Sequence, residues 1–278
     1  MTSRRRMMAG ANLTSKGVVG GVIQDDWDQI IKICKSGKAD QFYSIGDKKL
    51  LDLGELGLTE MAIANFNVDM RADNKGFAPT SWICLNPLRG GKFKLTDGLR
   101  WGGASSTRDP EVYWDISPQK AYAATVLNAI SENIRSQILE VKKNALVFQA
   151  QGDNLKESFL DIPASINHQS WIIQFKDKIW IPSAHEMMAL EEYGGLYPEF
   201  FKLPFSITFY GEDEPVVFSV RDRGGKSDVS GYSAVPYYGI KVKNKLLVCG
   251  ESSQVNTLYK LATKKSATNA YFLFGFCI

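Results

Sequence analysis

The run Ala270-Tyr271-Phe272-Leu273-Phe274-Gly275-Phe276-Cys277-Ile278 closes this sequence with four aromatics and no charged side chain. Chain ends are ordinarily solvated and frayed, so an end of this composition is expected to be tied into a core or a sheet. The expectation is specific: the last residues form a buried strand beside the first strand of the fold. With 278 residues, 44% hydrophobic and 12% aromatic, the chain has enough apolar material for one large core or two small ones.

Charge is distributed unevenly. The net charge is +3, and Arg4, Arg5, Arg6 and Lys16 supply four positive charges in a stretch without acids, which leaves −1 for the remainder. A near-neutral body argues against a nucleic-acid-binding surface beyond that stretch. Residues 1 to 24 are read as an extended, basic, Gly-rich arm that orders against a partner, and 25 to 278 as the folded domain. Met7-Met8-Ala9-Gly10-Ala11 is interrupted by Asn12, Thr14, Ser15 and Lys16, so neither an export signal nor a membrane-spanning helix is expected.

The four cysteines, Cys34, Cys84, Cys249 and Cys277, form no C-x-x-C pair, and there are two histidines, His168 and His185. No metal site or redox dithiol is expected from these spacings, and buried free thiols are the preferred reading. A disulfide between Cys249 and Cys277 remains the alternative.

Along the chain, Asp25-Asp26-Trp27 to Lys35 carries apolar residues at helical spacing, with acids at its start and Ser36-Gly37 at its end. Phe42 to Asp47, Lys49 to Leu53 and Thr59 to Phe66 read as a small antiparallel meander. Residues 67 to 115, with Trp82, Trp101 and Trp114 among turn formers, read as a long irregular loop region. Ser117-Pro118 to about Val141 predicts one long helix with a stripe of Val126, Leu127, Ile130, Ile134, Ile138 and Val141. Strands are expected at Asn144 to Ala150, Trp171 to Phe175 and Lys178 to Ser183, followed by a helix from His185 to Tyr193. Val216 to Val220 predicts a strand that is left by an Arg221-Asp222-Arg223-Gly224-Gly225-Lys226 loop. Tyr237 to Val242 and Lys245 to Cys249 predict a hairpin across Lys243-Asn244.

These features carry a resemblance. The Trp-Asp-x-Ile-Ile helix, the Tyr-Ser-Ile-Gly-Asp turn, the helix after Trp114, the Lys178-Ile179-Trp180-Ile181-Pro182-Ser183-x-x-Glu186 segment, the strand into Arg221 and the closing Gly275-Phe276-Cys277-Ile278 resemble a family of uncharacterised domains from gut bacteria and their phages. Its closing strand is similar to that of C-type-lectin-like and formylglycine-generating-enzyme-like domains. The resemblance covers about residues 25 to 278 and implies an α+β, C-type-lectin-like fold: mixed short-stranded sheets, two main helices, long loops and paired terminal strands. Where members of the family carry a Trp-Trp-Leu-Arg-Ser-like strand, this chain has Val217-Phe218-Ser219-Val220-Arg221, which keeps the arginine without the tryptophans.

An enzyme is not expected. A formylglycine-type oxidase needs a reactive cysteine pair or a copper-binding dithiol, and the spacing shows neither. Glu191-Glu192 and Glu212-Asp213-Glu214 read as solvated charge, and His185-Glu186 reads as a helix start more readily than a general base. Arg221 and Arg223 have two readings, bidentate ligand contacts on a displayed loop or partners of nearby acids that hold the loop. Trp101 and Trp114 either stack on a ligand such as a sugar or fill the space under the loops. The expected function is a phage virion-associated structural or display protein, homo-oligomeric, docked through Arg4, Arg5, Arg6 and Lys16 onto capsid or tail proteins. The alternative is an extracellular module of a gut bacterium that binds a host surface glycan or protein. No cofactor, metal or membrane is called for in either.

Overall fold

In the computed structural model the described residues are 20–86, 88, 91–94, 118–150, 172–183, 186, 197, 200, 216–228, 231–242, 245–250 and 269–278. Helix α1, Trp27–Lys35, forms where the sequence predicts it. Asp26 caps it, its carboxylate accepting from the Gln29 amide at 2.8 Å, and Ile30, Ile31, Ile33 and Cys34 are buried. Gly37, at φ +68°, closes the helix by donating its N–H to the Cys34 carbonyl.

A short α2, Ala39–Phe42, leads to β1, Lys48–Asp52, and β2, Leu58–Phe66, with β3 at Thr80–Cys84. Phe42 to Asp47 is not a strand. Gly46 sits at φ +90°, and Asp47 accepts from the Ser44 amide through Oδ2 and from the Gly21 amide through Oδ1, so this stretch is a turn clamped by one carboxylate.

The final strand β11, Gly275–Cys277, pairs antiparallel with β3, placing Phe276 opposite Trp82. The sheet order is β1-β2-β3-β11, so the first and last strands lie on opposite edges and are not paired as expected. Each edge has its own cover. Incoming residues 21–23 lie along β1 through the Val22–Lys48 bridge, while β11 is flanked on its outer side by bridges from Leu139 to Cys277 and from Trp180 to Gly275. The closing strand is therefore held from both sides, and Phe272, Leu273, Phe274, Phe276, Cys277 and Ile278 are all buried. This corrects the arm boundary as well: Val22 and Ile23 belong to the body, and Ile23 is buried.

The expected long helix is interrupted. Helix α3 spans Pro118–Ala129 and α4 spans Glu132–Arg135, with Ser131 extended at ψ 145° between them. Val126, Ile130, Ile134, Ile138 and Val141 are buried nonetheless, all within one core cluster, and Val141 opens the strand β5, Val141–Ala150. The stripe was real and its continuity was not.

A second, mixed sheet is built from β4 (Lys92–Lys94), β5 (Val141–Ala150), β6 (Ile172–Asp177), β7 (Val216–Asp228), β8 (Gly231–Val242), β9 (Lys245–Gly250) and β10 (Asn269–Tyr271). β3 and β4 correct the reading of 67 to 115 as one irregular loop region. β7 runs through Arg221 to Lys226, so the expected loop there is strand. Its backbone has β5 parallel on one side and β8 antiparallel on the other, and ladder bonds to two neighbours outweigh the turn tendency of Gly224-Gly225. The register shift between Ser219 and Arg223 is what remains of the irregularity. The β8–β9 hairpin forms as expected. The architecture is α+β, with few helices.

Candidate functional site

The alternation of β5 explains the most concentrated chemistry in the described residues. Val141 and Lys143 point inward while Lys142 and Asn144 face outward, so a lysine is carried into the core and is 0% exposed. Lys143 Nζ donates to Asp69 Oδ1 at 2.5 Å, to Glu186 Oε1 at 3.2 Å and to the Tyr197 hydroxyl. It lies 3.5 Å from the centre of the Trp180 ring, which stacks on Tyr197 at 5.6 Å between centroids.

Asp69 is reached from the other side by hydroxyls. Tyr197 donates to Oδ2 at 2.5 Å and Ser81 donates to the same oxygen, while the Cys277 thiol lies 3.4 Å from it. Glu186 is fixed in turn, its Oε2 accepting from the Ser183 amide at 2.8 Å. Burial, aided by the Asp69 and Glu186 charges, pushes the Tyr197 phenol well above its usual range, so it stays protonated and donates. Burial first, then Asp69, raises the Cys277 thiol likewise. One amine and two carboxyl groups, buried and from three separate stretches of chain, are thus brought into contact.

A surface groove of about 550 Å³ opens beside α1, between the outer edge of β1 and the start of α4. Asp26, Asp28 and Asp52 line it with Trp27, Leu50 and Asn133. Trp27 donates its indole N–H to the Leu50 carbonyl at 2.9 Å and packs against Trp82 and Phe276 at 5.1 and 6.1 Å between centroids. Leu50 is 56% exposed and Leu58, also on the wall, 65%. The groove is thus lined by Trp27, which packs on the central aromatic cluster, and by carboxylates.

The sequence-derived candidates are not brought together among the described residues. Arg4, Arg5, Arg6, Lys16, Trp101, Trp114 and His185 lie outside the described residues, as do Glu191-Glu192, Glu212-Asp213-Glu214 and all of the expected 185–193 helix except Glu186, which is helical. Arg221 and Arg223 occupy β7 and not a loop, and Arg223 is registered against Val147 of β5 and Pro236 of β8. Trp82 fills the core. Cys34, Cys84 and Cys277 are buried free thiols, so the Cys249–Cys277 disulfide does not form. Among the described residues no helix is long and apolar enough to cross a membrane. Sequence reasoning missed Lys143 and Asp69. The signal for Lys143 was legible, a lysine at an inward position of an alternating strand; Asp69 gave none, because its surroundings read as loop.

Comparison with protein-family models, with curated proteins and with solved structures finds no match for this chain.

Proposed function

We propose that this chain is a structural or display protein of a phage particle, a C-type-lectin-like body docked through the basic segment that precedes Gly20. The observation that carries the reading is the separation of charge along the sequence, beside a body whose final strand is held on both edges. Its closing strand is bonded on both sides, to β3 and to the Leu139 and Trp180 segments, which makes a firmly sealed body. Four positive charges fall within residues 1–19 of the sequence, and the remaining residues sum to −1. A basic segment in sequence ahead of a near-neutral body suits attachment to an acidic shell by electrostatic complementarity.

Mass spectrometry and electron microscopy of purified particles test the reading. The chain is expected in the particles at a fixed copy number, with a matching density lost when its gene is deleted. Particles that never contain the chain, and look the same without it, overturn the proposal.

A second reading, an extracellular glycan-binding module, is favoured by the groove at Trp27, where an aromatic ring and three carboxylates offer a stacking face and acceptors for sugar hydroxyls. A glycan array probed with the full chain tests it. Binding that disappears in Asp28→Ala and Asp52→Ala variants supports this module; an array without signal removes it.

A further inference from the structure

We propose that Lys143 and Asp69 become joined by an intramolecular amide bond, formed by the protein itself with Glu186 as the proton carrier. This inference stands independently of the role proposed above.

The geometry supplies each part such a reaction needs. The nucleophile, Lys143 Nζ, is held 2.5 Å from Asp69 Oδ1, so amine and carboxyl are already in contact and the entropy of bringing them together has been spent by folding. The other carboxyl oxygen, Oδ2, receives the Tyr197 and Ser81 hydroxyls, with the Cys277 thiol as a third neighbour. Donors gathered on the oxygen that does not leave polarise the carboxyl and stabilise negative charge there as the carbon becomes tetrahedral. Glu186 Oε1 is 3.2 Å from the same nitrogen, and its second oxygen is anchored by the Ser183 amide, so a base sits beside the nucleophile in a fixed orientation. Every group is buried, and the Trp180 and Tyr197 rings wall the amine, which keeps water from competing.

The step balances without a co-reactant. One proton passes from the Lys143 ammonium to Asp69 Oδ1, giving a neutral amine facing a neutral acid, a pairing that a dry interior tolerates better than water does. The nitrogen lone pair attacks the Asp69 carboxyl carbon, the C–N bond forms, and negative charge collects on Oδ2 against its hydroxyl donors. Glu186 takes one proton from the nitrogen and delivers it to Oδ1. The C–Oδ1 bond breaks, Oδ1 leaves as water with its two protons, and Oδ2 returns to a carbonyl. The nitrogen retains one hydrogen, Glu186 is a carboxylate again, and the net change is loss of one water. The bond ties β5 to the segment before β3.

Intact mass spectrometry of the full chain, purified and denatured, provides the test, followed by protease digestion and fragmentation of the peptides. The expected result is a mass lower than that of the sequence by one water, together with a branched peptide joining Lys143 to Asp69. A mass equal to that of the sequence overturns the proposal. So does loss of one water without a branched peptide, which marks cyclisation within a single peptide, or a branch from Lys143 to Glu186. Glu186→Gln keeps the side chain's size and removes the base: it is expected to fold, by circular dichroism, and to show the full mass. Lys143→Arg, which cannot form this bond, is the control for the digestion and should yield no branched peptide.

Discussion

At the scale of single residues, burial governs the reactivity of the thiols and the titration of the one carboxylate that organises the entry turn. Cys84 is pushed up to about 12 by burial, which outweighs the amide bond it accepts from Phe274, and Cys34 is raised for the same reason despite its contact with Thr80. A thiol that is both inaccessible and protonated is inert. Maleimide treatment of the native protein followed by peptide mapping is therefore expected to leave Cys34, Cys84 and Cys277 unlabelled, and to label all three once the protein is denatured. Asp47 is raised by burial in spite of the Ser44 and Gly21 amides that hold it. The folded state binds this proton more tightly than the unfolded state. Asp47 thus adds stability at pH below its unfolded value, and that contribution is lost as pH rises through its folded value. Asp47→Asn should flatten the stability profile above about pH 4 and, with one amide left without its acceptor, cost about 1 to 2 kcal/mol at neutral pH. Urea titrations between those conditions measure both effects. Neither property was legible in the sequence, because Tyr-Ser-Ile-Gly-Asp names a turn without saying that residue 21 will dock on it.

Elements show where sequence periodicity informs and where it stops. Helix α1 was readable because cap, stripe and terminating glycine agree within the stretch from Asp26 to Gly37. The break at Ser131 was not, since burial of Ile130, Ile134 and Ile138 is compatible with one long helix or with two short ones, and only the packing of Leu139 against the closing strand selects the second. β7 was half readable: its apolar beginning signals a strand, whereas Arg221 to Lys226 acquires strand structure from pairing with β5, a contact across more than 70 residues of chain. The closing strand provides a prediction at this scale. A Cβ on Gly275 would meet the Trp180 ring and lie 2.6 Å from the Trp82 carbonyl, between two rigid neighbours. Gly275→Ala is expected to cost about 3 kcal/mol or more. Gly37→Ala makes the comparison: its φ is +68° but a Cβ there meets nothing within 4 Å, so only backbone strain of about 1 kcal/mol is added. Thermal melts of the two variants should rank in that order, and equal shifts would show that the final strand can move away from Trp180.

For the whole molecule the deciding question is where the body begins. Composition placed that boundary at residue 24, because Gly20 and Gly21 continue the glycine pattern of the arm, but physical attachment starts earlier. Gly20 adopts φ +77° with its Cα so close to the Gly46 carbonyl that a Cβ would lie 2.5 Å from that oxygen. Residues 21 to 26 then make a continuous series of bonds: the Gly21 amide to Asp47, the Lys48 amide to the Gly21 carbonyl, the Ile23 amide to the Lys48 carbonyl, Tyr43 to Asp25, and the Asp26 cap of α1. Two truncations separate these contributions. A chain starting at Gly20 keeps the whole series, whereas one starting at Trp27 loses the cap, worth about 1 kcal/mol, and the buried Ile23 side chain, worth about 1.5 to 3 kcal/mol. The shorter chain should consequently melt roughly 5 to 16 °C below the longer one, using about 2 to 4 °C per kcal/mol for a domain of this size. The comparison also sharpens the docking proposal, since only the cut at Gly20 removes the four positive charges while leaving the body's own bonds in place. Failure of that variant to enter particles, at an unchanged far-ultraviolet spectrum, would assign docking to residues 1–19; incorporation at the wild-type level would take it away from them.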